Sequence, residues 1–120
     1  MLEKDIQKMI VQYLRRQRIK HYSIPNEQTV KVLRMFKIKG DIPHKVRSIL
    51  ESMGMLKGAP DLALIPGKGK TYYMEVKQPK KGLTNAQPEV HAYLNENGYD
   101  VAIVHSLDEA IKIMTEWGII

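Results

Sequence analysis

The chain has no cysteine among its 120 residues, which excludes disulfide scaffolds, thiol nucleophiles and cysteine-ligated zinc or iron–sulfur centres. Long apolar runs are missing too. Nothing approaches the roughly 18 consecutive apolar residues of a membrane span, and the N-terminus lacks the short apolar core of a secretory signal. The expected location is therefore the cytoplasm. Internal repeats and low-complexity segments are absent, and the length suits one hydrophobic core rather than two, so residues 1–120 are read as a single domain. Acidic residues are the minority: 13 Asp and Glu face 19 Lys and Arg, a formal net charge of +6. That balance favours a polyanionic partner, with an ordinary solvated basic surface as the alternative. The histidines (His21, His44, His91, His105) show no His-x-x-x-His ligand spacing and are read as surface or partly buried residues.

Hydrophobic spacing organises the rest. Leu2, Ile6, Met9, Ile10, Tyr13 and Leu14 form a helical stripe over residues 2 to about 18, with Lys4, Asp5, Lys8, Arg15 and Arg16 largely on the other side. A strand is expected from Ile19 to Ile24, ended by Pro25. Residues 28–39 fit either a helix or an extended run. Asp41-Ile42-Pro43 reads as a helix entry, followed by Val46, Ile49, Leu50 and Met53 on one face up to Gly54. Two short apolar runs around a Pro66-Gly67-Lys68-Gly69-Lys70 turn make a hairpin. Thr84-Asn85-Ala86-Gln87 fits a capping box opening a helix that ends at Gly98, although Pro88 would move the cap to Gln87 if it took the first helical position. Tyr99 to His105 alternates as a strand, and Ser106-Leu107-Asp108-Glu109 is a second capping box, opening a helix through Trp117. A helical crossover between the second hairpin strand and the last strand makes those two parallel, which gives a mixed sheet flanked by helices.

The hairpin carries the chemistry. Its first strand is headed by Pro60-Asp61 and its second ends in Glu75-Val76-Lys77. Side chains alternate faces along a strand, so Glu75 and Lys77 share a face while Val76 points the other way. Asp61 lies roughly opposite Glu75, close enough for the two carboxylates to share a cation that relieves their repulsion. A lysine beside a divalent cation can orient or help deprotonate a water for phosphodiester hydrolysis. Ordinary readings exist for each residue: a turn aspartate at a strand entrance, and a same-face Glu–Lys salt bridge.

These residues resemble the motif of the PD-(D/E)xK nucleases. The wider order of Glu3 in an opening helix, Ile24-Pro25-Asn26-Glu27, Gly54 to Leu62, Glu75-Val76-Lys77 and Gly82 to Gln87 resembles the virus-type replication-repair nuclease (VRR-NUC) domain. It covers nearly the whole chain apart from residues 28–52. The resemblance implies an α/β, restriction-endonuclease-like fold and a metal-dependent endonuclease acting on DNA in repair. It implies Asp61 and Glu75 as metal ligands, the backbone carbonyl of Val76 as a further ligand, and Glu3 or Glu27 as an assisting acid. It also implies that Lys77 handles the attacking water and that Gln87 lies near the active site, although a capping role would account for Gln87 fully. Glu3 is equally an ordinary first-turn glutamate favoured by the helix dipole. The hard oxygen donors imply Mg²⁺ or Mn²⁺.

Lys57 on one flank and Lys80 and Lys81 on the other add cations suited to phosphate contacts. Free-standing domains of this size look like archaeal-type Holliday junction resolvases. That likeness implies a homodimer acting on branched DNA, with the segment from Val30 to Ile38 as its interface or else as core packing. The rival readings are a flap or linear-duplex endonuclease within a replication assembly, and a non-catalytic DNA-binding module.

Overall fold

A computed structural model describes residues 1–120. In chain order the elements are α1 (Glu3–Arg16), β1 (His21–Ser23), α2 (Glu27–Met35), α3 (Ile42–Ser52), β2 (Leu62–Gly67), β3 (Lys70–Val76), α4 (Gln87–Glu96), β4 (Asp100–Val104) and α5 (Leu107–Glu116). The four strands form one sheet in the order β1-β2-β3-β4. Its first two pairings are antiparallel, and β3 runs parallel to β4 across the α4 crossover. The fold is a four-stranded mixed sheet flanked by five helices, as the spacing predicts.

Alternation along the strands divides the side chains between two faces. Leu62, Leu64, Tyr72, Met74, Val76 and Val104 join Ile6, Ile10 and Leu14 of α1 and Ala110 and Met114 of α5 in one buried cluster. The α1 and α5 stripes recur every three to four residues, so each helix lays one side on this sheet face. Tyr72 stacks on Trp117 with ring centroids 4.9 Å apart. Removing apolar area of this kind from water is the main stabilising term. Tyr73 and Glu75 point to the opposite face, which α4 covers only in part.

Several boundaries differ from the sequence expectation, each for a local reason. The undecided segment is helical as far as Met35, because Asn26 caps it: the Asn26 side-chain oxygen accepts from the Gln28 N–H at 2.9 Å, and the Thr29 hydroxyl accepts from the Asn26 N–H at 3.1 Å. That helix divides the Val30–Ile38 stretch, with Val30 in the interior and Val32, Met35 and Phe36 exposed. The hairpin turn is tighter than expected. Gly67 pairs with Lys70, and Lys68 and Gly69 both take positive φ, as a two-residue type I′ turn requires. Pro66 falls at the irregularity between Leu64 and Gly67, where no ladder donor is needed.

The helix expected from Thr84 begins at Gln87, with Ala86 in the cap position and Pro88 in the first turn. Half of the proposed box survives, since the Gln87 side-chain oxygen accepts from the Thr84 N–H at 3.0 Å. At the last helix Ser106 caps as expected, accepting from the Glu109 N–H at 3.1 Å, but the Glu109 carboxylate reaches back to the His105 N–H.

Gly58 fixes how two loops meet. It has φ +90°, and a Cβ there would lie 2.6 Å from the Ala86 backbone, so only glycine lets the loop before β2 close against the loop before α4. That approach brings Lys57 and Gln87 to the rim of one cavity.

Candidate active site

The register Leu62↔Met74 sets Asp61 and Glu75 one step further along, opposite each other at the end of the hairpin. Asp61 is pinned from both sides through its backbone: its N–H donates to the Met74 carbonyl at 3.1 Å, and its carbonyl accepts from the Ile24 N–H at 2.9 Å. Its carboxylate accepts from the Val76 N–H at 2.7 Å and from the Asn26 side-chain amide at 2.9 Å. The same Asn26 amide donates to the Ala59 carbonyl at 3.1 Å. Asn26 thus joins the N-terminus of α2 to the Asp61 carboxylate through one buried side chain.

Glu75 is held from α4. His91 Nε2 lies 3.1 Å from one carboxylate oxygen, and Gln87 Nε2 makes a longer contact of 3.4 Å to the other. An ionised carboxylate only accepts, so the His91 tautomer that satisfies this contact carries its proton on Nε2. Gln87 therefore serves both the helix start and Glu75.

Relative exposure falls to 2% for Asp61, 1% for Glu75, 6% for Lys77 and 5% for His91. Lys77 continues the parallel pairing, its N–H donating to the Val104 carbonyl at 3.0 Å, and its ammonium is in no ion pair with either carboxylate.

Burial governs the electrostatics. Desolvation pushes the Asp61 carboxyl up to about 7, reinforced by the charge of Glu75 and opposed by its amide donors Val76 and Asn26. Desolvation also raises Glu75, against hydrogen bonding with Asp61 and the nearby Lys77 charge, while Glu3 adds to the rise. Burial lowers His91, which favours its neutral form. Two desolvated, mutually repelling carboxylates are the setting that a divalent cation relieves, and their hard oxygens suit Mg²⁺ or Mn²⁺. No three Asp, Glu or His side chains converge as a ligand cluster, so the side-chain donors gathered at the strand ends are this pair.

The other sequence candidates lie around it. Glu3, Glu27, Lys57, Lys77 and Gln87 all border a cavity of about 110 Å³ that contains both carboxylates. Glu3 is hydrogen-bonded by the Gln28 side chain. Glu27 is committed to Arg47, whose guanidinium grips both its oxygens at 3.1 and 2.8 Å. Val76 keeps its side chain in the core and its N–H on Asp61, beside Glu75. Lys80 is exposed on the following loop, which is tethered by His105 Nε2 at 2.8 Å from the Lys81 carbonyl. That carbonyl and the Glu109 carboxylate raise the His105 pKa.

Two participants escaped the sequence reading. Asn26 enters it only within the Ile24-Pro25-Asn26-Glu27 stretch, with no role of its own, and His91 is read there as a surface or partly buried residue. The pattern Gln87-Pro88-Glu89-Val90-His91 did hold a signal, because residues four apart on a helix share a face and Gln87 was already placed near the site.

An α/β sheet that sets a Pro-Asp carboxylate opposite a Glu-x-Lys strand end defines a restriction-endonuclease-like protein of the PD-(D/E)xK class. The VRR-NUC domain model matches residues 2–108, and the chain belongs to that family. Its members are nucleases, hydrolases acting on DNA. No curated protein matches the chain, and no solved structure does.

Two consequences are measurable without substrate. The native Asp61 carboxyl binds its proton more tightly than the unfolded one, with a pKa of about 7 against 3.8. Stability from this group is therefore full below the unfolded value and is lost as pH rises through the window toward about 7. Glu75, also raised, acts with the same sign, whereas the lowered His91 contributes stability that grows as pH rises toward its ordinary value. In metal-free buffer Glu75→Gln removes one charge of the pair, so its advantage over wild type in denaturant melts should grow from pH 5 to pH 8, by an amount on the order of 1–3 kcal/mol. A constant difference would contradict the coupling of the two carboxyls.

The second consequence concerns Asn26. Asn26→Ser keeps a cap oxygen but removes both amide donors, costing about 1–3 kcal/mol, while Asn26→Ala costs about 1 kcal/mol more through the lost cap. Equal costs in urea unfolding would show that the cap contributes nothing, and an unaltered Ser variant would dismiss the anchor.

Proposed function

We propose that this chain is a divalent-metal-dependent DNA endonuclease in which Asp61 and Glu75, with the Val76 carbonyl, hold Mg²⁺ or Mn²⁺. The observation that carries the reading is the buried Asp61–Glu75 pair facing a shared cavity beside an unpaired Lys77. When bound, the cation supplies Lewis acidity to the phosphodiester and to the attacking water. The remaining work belongs to protein groups. Asn26 and the Val76 N–H hold the Asp61 carboxylate, and His91 and Gln87 hold that of Glu75. Lys77 orients the attacking water and offsets charge building on the phosphate. Glu3, at the rim, is the better placed assisting acid, since Glu27 is held by Arg47. Lys57, Lys80 and Lys81 supply phosphate contacts that carry no base readout.

Removing either ligand should abolish metal-dependent cleavage. Asp61→Ala and Glu75→Ala are expected to leave DNA binding in place, because binding rests on Lys and Arg. Lys77→Ala should slow single-turnover cleavage on the order of 10²-fold or more. Undiminished cleavage in the carboxylate variants would sink the assignment. A normal rate with weaker DNA binding in the lysine variant would reduce Lys77 to a phosphate contact.

The finer reading is a two-fold dimer that prefers four-way junctions, since symmetric junctions call for symmetric sites. Phe36, exposed just past the end of α2 and outside the cavities around the carboxylates, supplies apolar surface for such an interface. Light scattering at micromolar concentration, run beside labelled linear, flap, fork and junction DNA with and without Mg²⁺, tests it. A monomer that cuts flaps as well as junctions would overturn the resolvase reading and leave the nuclease reading standing.

A further inference from the structure

The polar face of α1 is not a featureless solvated surface. With α2 and the end of β1 it walls a groove of about 500 Å³, into which Lys4, Lys8 and Arg15 face. The one acidic side chain lining that groove is Asp61. A second groove of about 510 Å³ lies past the start of α1, lined by Lys4, Lys31, Lys77 and Lys81 against the single acid Glu3. Lys4 and Gln28 border both grooves, and Gln28 also borders the small cavity over the carboxylate pair. The carboxylate cavity shares Asn26 and Asp61 with the first groove and Lys31 and Lys77 with the second, so it adjoins both.

We infer that the two grooves are one track for the backbone of the DNA strand being cut, running along Arg15, Lys8 and Lys4, over Gln28, and out past Lys31 and Lys81. The inference rests on the nuclease reading and adds the path of the substrate. Alignment supports it: Lys4, Lys8 and Arg15 recur on one side of α1 and line the same groove over about 16 Å of helix. Charge supports it as well, because Lys8 and Arg15 have no carboxylate partner whereas Lys4 is shared with Asp5 at 3.5 Å. Amide and hydroxyl groups of Gln12, Ser23 and Thr29 between the cations offer the uncharged donors that phosphate oxygens accept from.

The test is the salt dependence of binding to a fluorescent DNA duplex in chelator-containing, metal-free buffer, where cleavage cannot intervene. Lys8→Gln with Arg15→Gln removes two phosphate contacts from exposed positions, and the log–log salt slope should become shallower by about 1.8. From about 50 to about 200 mM salt the loss of affinity should therefore be roughly 12-fold smaller than for wild type. Lys81→Gln should lower the slope by about 0.9 at the other end. The control, Lys68→Gln with Lys70→Gln at the hairpin turn, should leave it unchanged.

A wild-type slope in the Lys8/Arg15 variant, or an equal fall in the control, would overturn the groove as a DNA site. A fall for Lys8/Arg15 with none for Lys81 would overturn the continuous track. Cleavage of the same duplex in Mg²⁺ separates the two claims: an inactive wild type that retains the slope differences would count against the nuclease reading alone.

Discussion

The burial of two facing carboxylates is the constraint on which the rest of this structure depends. Asp61 and Glu75 sit almost wholly out of water, and each is pushed toward its protonated form by that burial. Such a pair costs stability, so its presence at the end of a hairpin needs compensation from its neighbours. The compensation is visible in the donors around it: Val76 and Asn26 on Asp61, His91 and Gln87 on Glu75. No buried side-chain polar atom in the protein lacks a partner. A site held this tightly has its geometry set before any ligand arrives, which is what reaction at a phosphodiester requires.

The fold supplies those donors from separate parts of the chain. The hairpin register makes the carboxylates face each other. The cap of α2 brings Asn26, and the parallel crossover through α4 brings His91 and Gln87. Gly58 allows the loops before β2 and α4 to touch, and without that approach the α4 side of the cavity would stand away from the hairpin. One sheet face is spent on the core formed with α1 and α5, while the other carries the chemistry. The site thus sits at the ends of the two central strands, where strand ends and helix starts converge.

Much of this was legible in the chain, for identifiable reasons. Alternation in Leu62 to Leu64 and Tyr72 to Val76, and helical stripes in α1 and α5, are periodic signals that local physics enforces. The opposition of Asp61 and Glu75 followed from hairpin geometry and survived the irregularity near Pro66, because that irregularity falls on the turn side of the pair. The helix over Glu27–Met35 was not legible: its cap pairs Asn26 with Thr29, a weaker sequence signature than Ser or Thr followed by Glu or Gln. The partnership of His91 with Glu75 depends on how α4 packs, and that is settled by tertiary contact rather than by spacing alone. Likewise the commitment of Glu27 to Arg47 joins α2 to α3, a contact no sequence pattern announces.

The central claim is that a divalent cation is held by Asp61 and Glu75 beside the Val76 peptide, and paramagnetic line broadening tests it directly. With substoichiometric Mn²⁺ added to isotope-labelled protein, the account predicts that the backbone amides of Asp61 and Val76 and the side-chain amide of Asn26 broaden first. Excess Mg²⁺ should restore them. Broadening that begins elsewhere, or that spreads evenly over the exposed acidic residues, would contradict it.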